Sequence, residues 1–184
     1  SALETVLLPD TLQTLANNIF QASGITEIVP PEGITEIGRQ VFHSCTALKT
    51  VAFPASLKSL GPLACYGATA LEEVAFYGEL NEIPSQAFQN CSNLKSIQWP
   101  KNLISIGSNA FQGSGLENLE IPEGVKEIGQ TAFRDCASLK NVVLPGTLTS
   151  LGDYSFRGCT SITSIVIPSN VNSIGTQAFS GDTS

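Results

Sequence analysis

The stretch EIGQTAFRDCASLK, residues 127–140, admits two readings. Cys136 follows Arg134 and Asp135, and a thiol beside a guanidinium can be activated as a nucleophile. The stretch can equally be one copy of a recurring unit, and laying the chain against itself decides for the second reading. Phenylalanine recurs at Phe20, Phe42, Phe88, Phe111, Phe133, Phe156 and Phe179, with Cys65 in the one vacant slot, in steps of 22 or 23 residues. Pro9, Pro31, Pro54, Pro100, Pro122, Pro145 and Pro168 keep the same steps, and Tyr77 takes their vacancy. Two unrelated residue types on one period define a repeat.

Units begun at residues 3, 25, 48, 71, 94, 116, 139 and 162 carry large apolar residues at offsets 0, 3, 5, 9, 12 and 17. The exceptions are Pro30 and Cys65; further lapses from the shared pattern are Tyr77 and Pro84. Two units are one residue short between the phenylalanine and the next unit, in FQASGI and FQGSGL, which marks a tolerant loop there. Offsets 2–5, as in NVVL at 141–144, combine β-branched residues with inward positions at period two and predict a strand. The proline that follows has no donor for a ladder and ends it. The IG-x-x-AF-x-x-C half has apolar residues at helix-like spacing and predicts one or two short helical turns on the opposite side. One such unit cannot bury its own apolar face, whereas stacked units can. Eight parallel strands at the usual spacing of ~4.8 Å would make a sheet roughly 34 Å long.

The totals agree with one ordered domain over residues 1–184. Hydrophobic residues are 42% and charged residues 14%, a composition that buries a core. With a net charge of -7, the chain lacks the basic face that nucleic acid or an anionic membrane requires. No apolar run reaches the ~18–20 residues of a spanning helix, and no signal peptide is visible. Opening directly on SALETVLLP, the chain reads as a piece of a longer protein. Five cysteines without a C-x-x-C pair, and the single His43, leave no zinc set and no Cys/His nucleophile. There is likewise no Ser/His/Asp spacing and no glycine-rich phosphate loop, so no catalytic residue, metal ligand or cofactor site is expected.

The unit L-x-x-[VI]-x-[apolar]-P-x-x-[LV]-x-x-[IL]-G-x-x-A-F-x-x-[CS] resembles the BspA-like, or Treponema pallidum-type, leucine-rich repeats over residues 3–179. The resemblance implies an α/β solenoid: a right-handed leucine-rich-repeat superhelix with a parallel sheet on its concave face and short helical turns on the convex side. It also implies a cell-surface or secreted bacterial protein, associated with adhesion to host, matrix or bacterial proteins.

Within the repeat most singular residues become structural. Cys45, Cys91, Cys136 and Cys159 share a slot that holds Ser23, Ala68 and Ser114 elsewhere, so the slot selects small size and the thiols pack. Cys136 and Cys159 fall in adjacent units, but wider spacing on the convex side argues against a disulfide, and reduced thiols are expected. His43 occupies a polar outer position and Trp99 an inward strand slot. Asn90-Cys91-Ser92 fits a glycosylation sequon in form only. Offset 1 alternates in sign through Lys49, Glu72, Lys95, Glu117 and Lys140, which favours the stacking register.

Function is left to the outward strand positions at offsets 2 and 4. The residues expected to form a protein-binding face are Glu27, Thr50, Glu73, Ser96, Gln98, Asn118, Glu120, Asn141 and Val143. The expectation is a non-enzymatic recognition domain for a protein partner, with an architectural spacer or an enzyme's accessory domain as rivals. Neither end unit shows a polar cap, which predicts edge-to-edge self-association.

Overall fold

A computed structural model describes residues 3–181. In chain order its first strands are β1 (Thr14–Leu15), β2 (Glu27–Ile28), β3 (Glu36–Ile37), β4 (Thr50–Phe53), β5 (Ser59–Leu60), β6 (Glu73–Phe76) and β7 (Glu82–Ile83). They are followed by β8 (Ser96–Gln98), β9 (Ser105–Ile106), β10 (Asn118–Glu120), β11 (Glu127–Ile128), β12 (Asn141–Val143), β13 (Ser150–Leu151) and β14 (Ser173–Ile174). All pairings are parallel, and each joins the same position of neighbouring units. The molecule is therefore a parallel β-solenoid, each unit supplying one rung.

The expected strand series forms two ladders, β2-β4-β6-β8 and β10-β12. Residues 5–8 and 164–167, in the same slots of the first and last units, are not strands. A second series, which the alternation pattern did not suggest, runs as β1-β3-β5 and β7-β9-β11-β13-β14. Its strands are two residues long, too short for a period to show.

The short helical turns expected on the far side are absent: no helix occurs among the described residues. Every unit instead places offsets 15 and 19 in the left-handed region, for example Gln40 (φ 58°) with Ser44 (57°), and Thr131 (55°) with Asp135 (58°). Two such residues per turn cannot propagate a right-handed helix. The amides divide their bonds accordingly. His43 N–H closes a tight turn on Gln40 O at 3.2 Å, while Phe42 N–H reaches the next unit at Ala64 O, 2.7 Å away. Donors that a helix would spend internally thus hold the rungs together.

Between the two faces lies one continuous core. Phenylalanine rings stack face to face from Phe88 through Phe111, Phe133 and Phe156 at 5.2–5.3 Å, extending to Phe179 at 5.7 Å. Where Cys65 interrupts the column, Phe53 and Phe76 stack at 4.7 Å from the strand side, and Phe76 meets Phe88 edge-on. The face built by the β2–β12 ladders is the one that the repeat resemblance implies to be concave.

Each break in a ladder has a local cause. Between β5 and β7 the unit carries Pro84 where six of the other units carry glycine and the first carries Ala16. Gly61 donates to Ile37 O at 2.7 Å and Gly107 to Ile83 O at 2.8 Å, and proline has no N–H to do the same. A Cβ at Gly61 would also lie 2.4 Å from the carbonyl carbon of Gly38, so the glycine column permits a backbone approach that proline cannot match. Between β8 and β10 the break follows the one-residue deletion in FQGSGL. There Gly115 is drawn so close that a Cβ would sit 2.2 Å from Ser92 O, and the strand after it leaves pairing distance of β8.

Candidate functional site

All nine residues expected on the binding face are exposed, and they stand on the concave ladders. The register places Glu27, Thr50, Glu73 and Ser96 in one row, with Gln98 beside Ala75. A separate row pairs Asn118 with Asn141 and Glu120 with Val143. The two rows do not hydrogen-bond to each other as strands. Ser96, Asn118, Glu120, Asn141 and Val143 nevertheless converge on one open depression of about 630 Å³, which straddles the β8–β10 break. A second depression, of about 520 Å³, lies over Thr50, Glu73, Ser96 and Gln98 in the intact ladder.

The break changes the chemistry of its own lining. Val51 and Val74 are 2% exposed, while Ile97, in the same slot of the next unit, is only half-buried. Trp99, expected in the core, is half-buried too. Its ring packs edge-on against Phe111 with centroids 5.6 Å apart, and its indole N–H donates to Glu120 O at 2.8 Å. That bond spans the gap and satisfies an acceptor that a paired strand would have taken. The inward slots of Ile97 and Trp99 gave no hint that they would line an open depression; the missing residue in FQGSGL was the signal that could have shown it.

Polar detail is concentrated around the depression. Asn141 Nδ2 donates to Asn118 Oδ1 at 2.6 Å, and Lys140 Nζ meets Glu117 Oε2 at 3.0 Å. The Lys140 contact holds the Glu117 carboxyl below its usual value of 4.5. Across offsets 2 and 4 the only charged side chains are Glu27, Glu73 and Glu120, and Lys95 of offset 1 joins Glu120 in the lining of the depression. The apolar ends of the face are well exposed: Leu7 94%, Val29 76% and Val166 82%.

Other candidates resolve into structure. His43 stacks flat on Tyr66 at 4.9 Å with its Nδ1 3.0 Å from Ser44 Oγ. Arg134 Nε lies 3.3 Å from its neighbour Asp135 and is not among the groups that perturb Cys136. Asn90 is exposed, in the left-handed conformation (φ 61°). All five cysteines are buried thiols outside any disulfide. No cluster of three metal-binding side chains occurs among the described residues, and no helix there is long and apolar enough to cross a membrane.

Comparison with known proteins gives one consistent result. Six copies of the BspA type leucine rich repeat region match the chain, over residues 1–95 and 63–184. The crystal structure of a Treponema pallidum leucine-rich repeat protein superposes with a TM-score of 0.82 at 31% identity, covering 91% of this chain and 80% of that one. A leucine-rich repeat protein from Bacteroides ovatus gives 0.63 at 25% identity, over 97% and 64% of the two chains. One from Eubacterium ventriosum gives 0.61 at 25% identity, over 94% and 41%. The chain thus spans less than two thirds of the last two proteins. No curated protein matches it.

Proposed function

From a chain that belongs to the BspA-type leucine-rich repeat family, we propose a non-enzymatic protein-recognition segment of a bacterial cell-surface or secreted protein. It acts by presenting its concave face to a host, matrix or bacterial protein. One observation carries this reading: the outward strand positions are polar with glutamates in the middle, apolar at the ends, and the face opens at the β8–β10 break onto Ile97 and Trp99. Exposed apolar side chains in a rigid, charge-biased surface suit a partner that brings basic groups flanked by apolar ones. Recognition is spread over several rungs, and the rung stack supplies the rigidity that keeps its entropic cost low.

Purified matrix and host-surface proteins, immobilised and probed with the chain, test this. The expected outcome is a bound protein whose affinity falls at raised ionic strength and is lost in the double variant Gln98→Lys, Glu120→Lys, while convex Gln112→Lys leaves it intact. Binding that survives the double variant removes the site and leaves the spacer reading in its place. The reading extends to contacts between copies, since Val6, Leu8, Ile165, Ile167 and Val171 of the end units are only half-buried. Monomeric sedimentation at high concentration counts against that extension.

A further inference from the structure

The buried column of small residues behind the phenylalanine stack contains a pair that partner recognition does not use. Cys136 and Cys159 occupy the same slot of neighbouring rungs and are 0% exposed. Of the groups around the Cys136 thiol, Cys159 influences it most. Cys136 Sγ also lies 3.3 Å from Ser114 Oγ, and each thiol points along the carbonyl row, Cys136 to Phe111 O and Cys159 to Phe133 O, both at 3.1 Å.

Their rungs are clamped together. Phe133 N–H donates to Ser155 O at 2.8 Å and Asp135 N–H to Arg157 O at 2.7 Å, with the Phe133 and Phe156 rings 5.2 Å apart. Equivalent Cα atoms at such a rung spacing fall inside the ~4.4–6.8 Å that a disulfide bridges. The far side is itself a hydrogen-bonded stack, which holds these two rungs together at the cysteine slot. No other rung pair has cysteine twice in this slot: Cys45 adjoins Ser23 and Ala68, and Cys91 adjoins Ala68 and Ser114.

We propose that Cys136 and Cys159 are an oxidisable pair that closes an inter-rung disulfide on meeting a small-molecule disulfide oxidant. The Cys136 thiolate attacks one sulfur of the oxidant, breaking its S–S bond and releasing one thiolate, which takes up a proton. Cys159 then loses its proton and attacks the Cys136 sulfur of the mixed disulfide, forming the Cys136–Cys159 bond and expelling the second thiol. One oxidant disulfide is reduced to two thiols as two protein thiols become one disulfide.

The choice of nucleophile follows from the surroundings. Hydrogen bonding from Cys159, followed by that from Ser114 and the neighbouring backbone, holds Cys136 below the ordinary thiol value of 9.0 against the opposing effect of burial. Burial instead pushes Cys45 upward and Cys91 to about 12, with Cys65 also well above the ordinary value. Access comes from local opening of the rung that covers Cys159, whose Ile165, Ile167 and Val171 are only half-buried.

The test incubates the 184-residue chain with oxidised glutathione in urea below its unfolding transition, then counts thiols after denaturation. The expected count falls from five to three, and trypsin releases DCASLK (135–140) linked to the peptide that begins at Gly158. The linked chain also melts at a higher Tm than the reduced one. Cys159→Ser keeps a residue type the slot already holds and is expected to trap glutathione on Cys136. Five surviving thiols, a link between other cysteines, or an unmodified Cys136 in Cys159→Ser overturns the proposal.

Discussion

Two joints on the concave face, built from the same repeat, behave differently. At β4–β6 the strands pair over four residues, Thr50↔Glu73 to Phe53↔Phe76, and Val51, Val74, Phe53 and Phe76 are at most 3% exposed. At β8–β10 no strand pairing forms, Ile97 and Trp99 are half-buried, and one indole N–H reaches across to Glu120 O. The difference comes from a single residue missing in the loop before Gly115. At the joint that follows this deletion a groove opens on the strand face, and the inward side chains Ile97 and Trp99 become partly exposed.

The largest effect separating the joints is expected in their aromatic packing. Phe76→Ala removes a ring packed against both Phe53 and Phe88 and should cost about 3–5 kcal/mol, read as a fall in the urea midpoint. Trp99→Ala at the open joint should cost clearly less, because its ring is already half in water; an equal loss would erase the distinction. Insertion of one alanine between Ser114 and Gly115 tests the cause of the opening. The β8–β10 pairing is expected to form, giving amide-exchange protection across residues 117–120, with each restored bond contributing about 0.5–1.5 kcal/mol. An unchanged exchange pattern would assign the break to some feature other than the deletion.

A smaller effect is expected of Trp99→Phe, which keeps the packing on Phe111 but removes the donor to Glu120 O. The loss should be about 1 kcal/mol, since that carbonyl can turn to water at the exposed rim. The smallest concerns the exposed pair at Lys140 and Glu117. The folded-state pKa of Glu117 is depressed, so its contribution is present above the usual carboxylate value of 4.5 and is lost as pH falls through the lower folded value. Lys140→Ala should return the Glu117 titration, followed by NMR, toward 4.5 with little change in Tm, as solvent screening predicts.

Much of this is legible in the chain because a repeat reports each position eight times over. The phenylalanine and proline spacing defines the rung, and the alternation of inward and outward residues suffices to place Glu27, Thr50, Glu73 and the other concave residues on one face. The Cys/Ser/Ala slot reads correctly as buried. Two sequence features carry the ladder breaks as well: Pro84, which lacks the donor its glycine counterparts use, and the deletion in FQGSGL. The convex half misleads because apolar residues at offsets 12, 17 and 20 fit a helix as well as they fit a chain of turns, and periodicity carries no record of φ. The sign lay elsewhere in the column: offset 19 holds Gly67, Asn90, Gly113, Gly158 and Gly181, residues that favour the left-handed conformation, while Ser44 and Asp135 adopt it in the same stacked slot.

The sequence alone determined the rung, its inward and outward faces and its family, because those follow from which positions must be apolar in every copy. Tertiary structure decided how rungs meet. Whether a backbone amide bonds within its turn or to the next unit depends on what lies 22 or 23 residues away, and that contact settled three things. It replaced the expected helical turns with a second hydrogen-bonded stack, opened the groove beside Trp99, and brought Cys136 against Cys159.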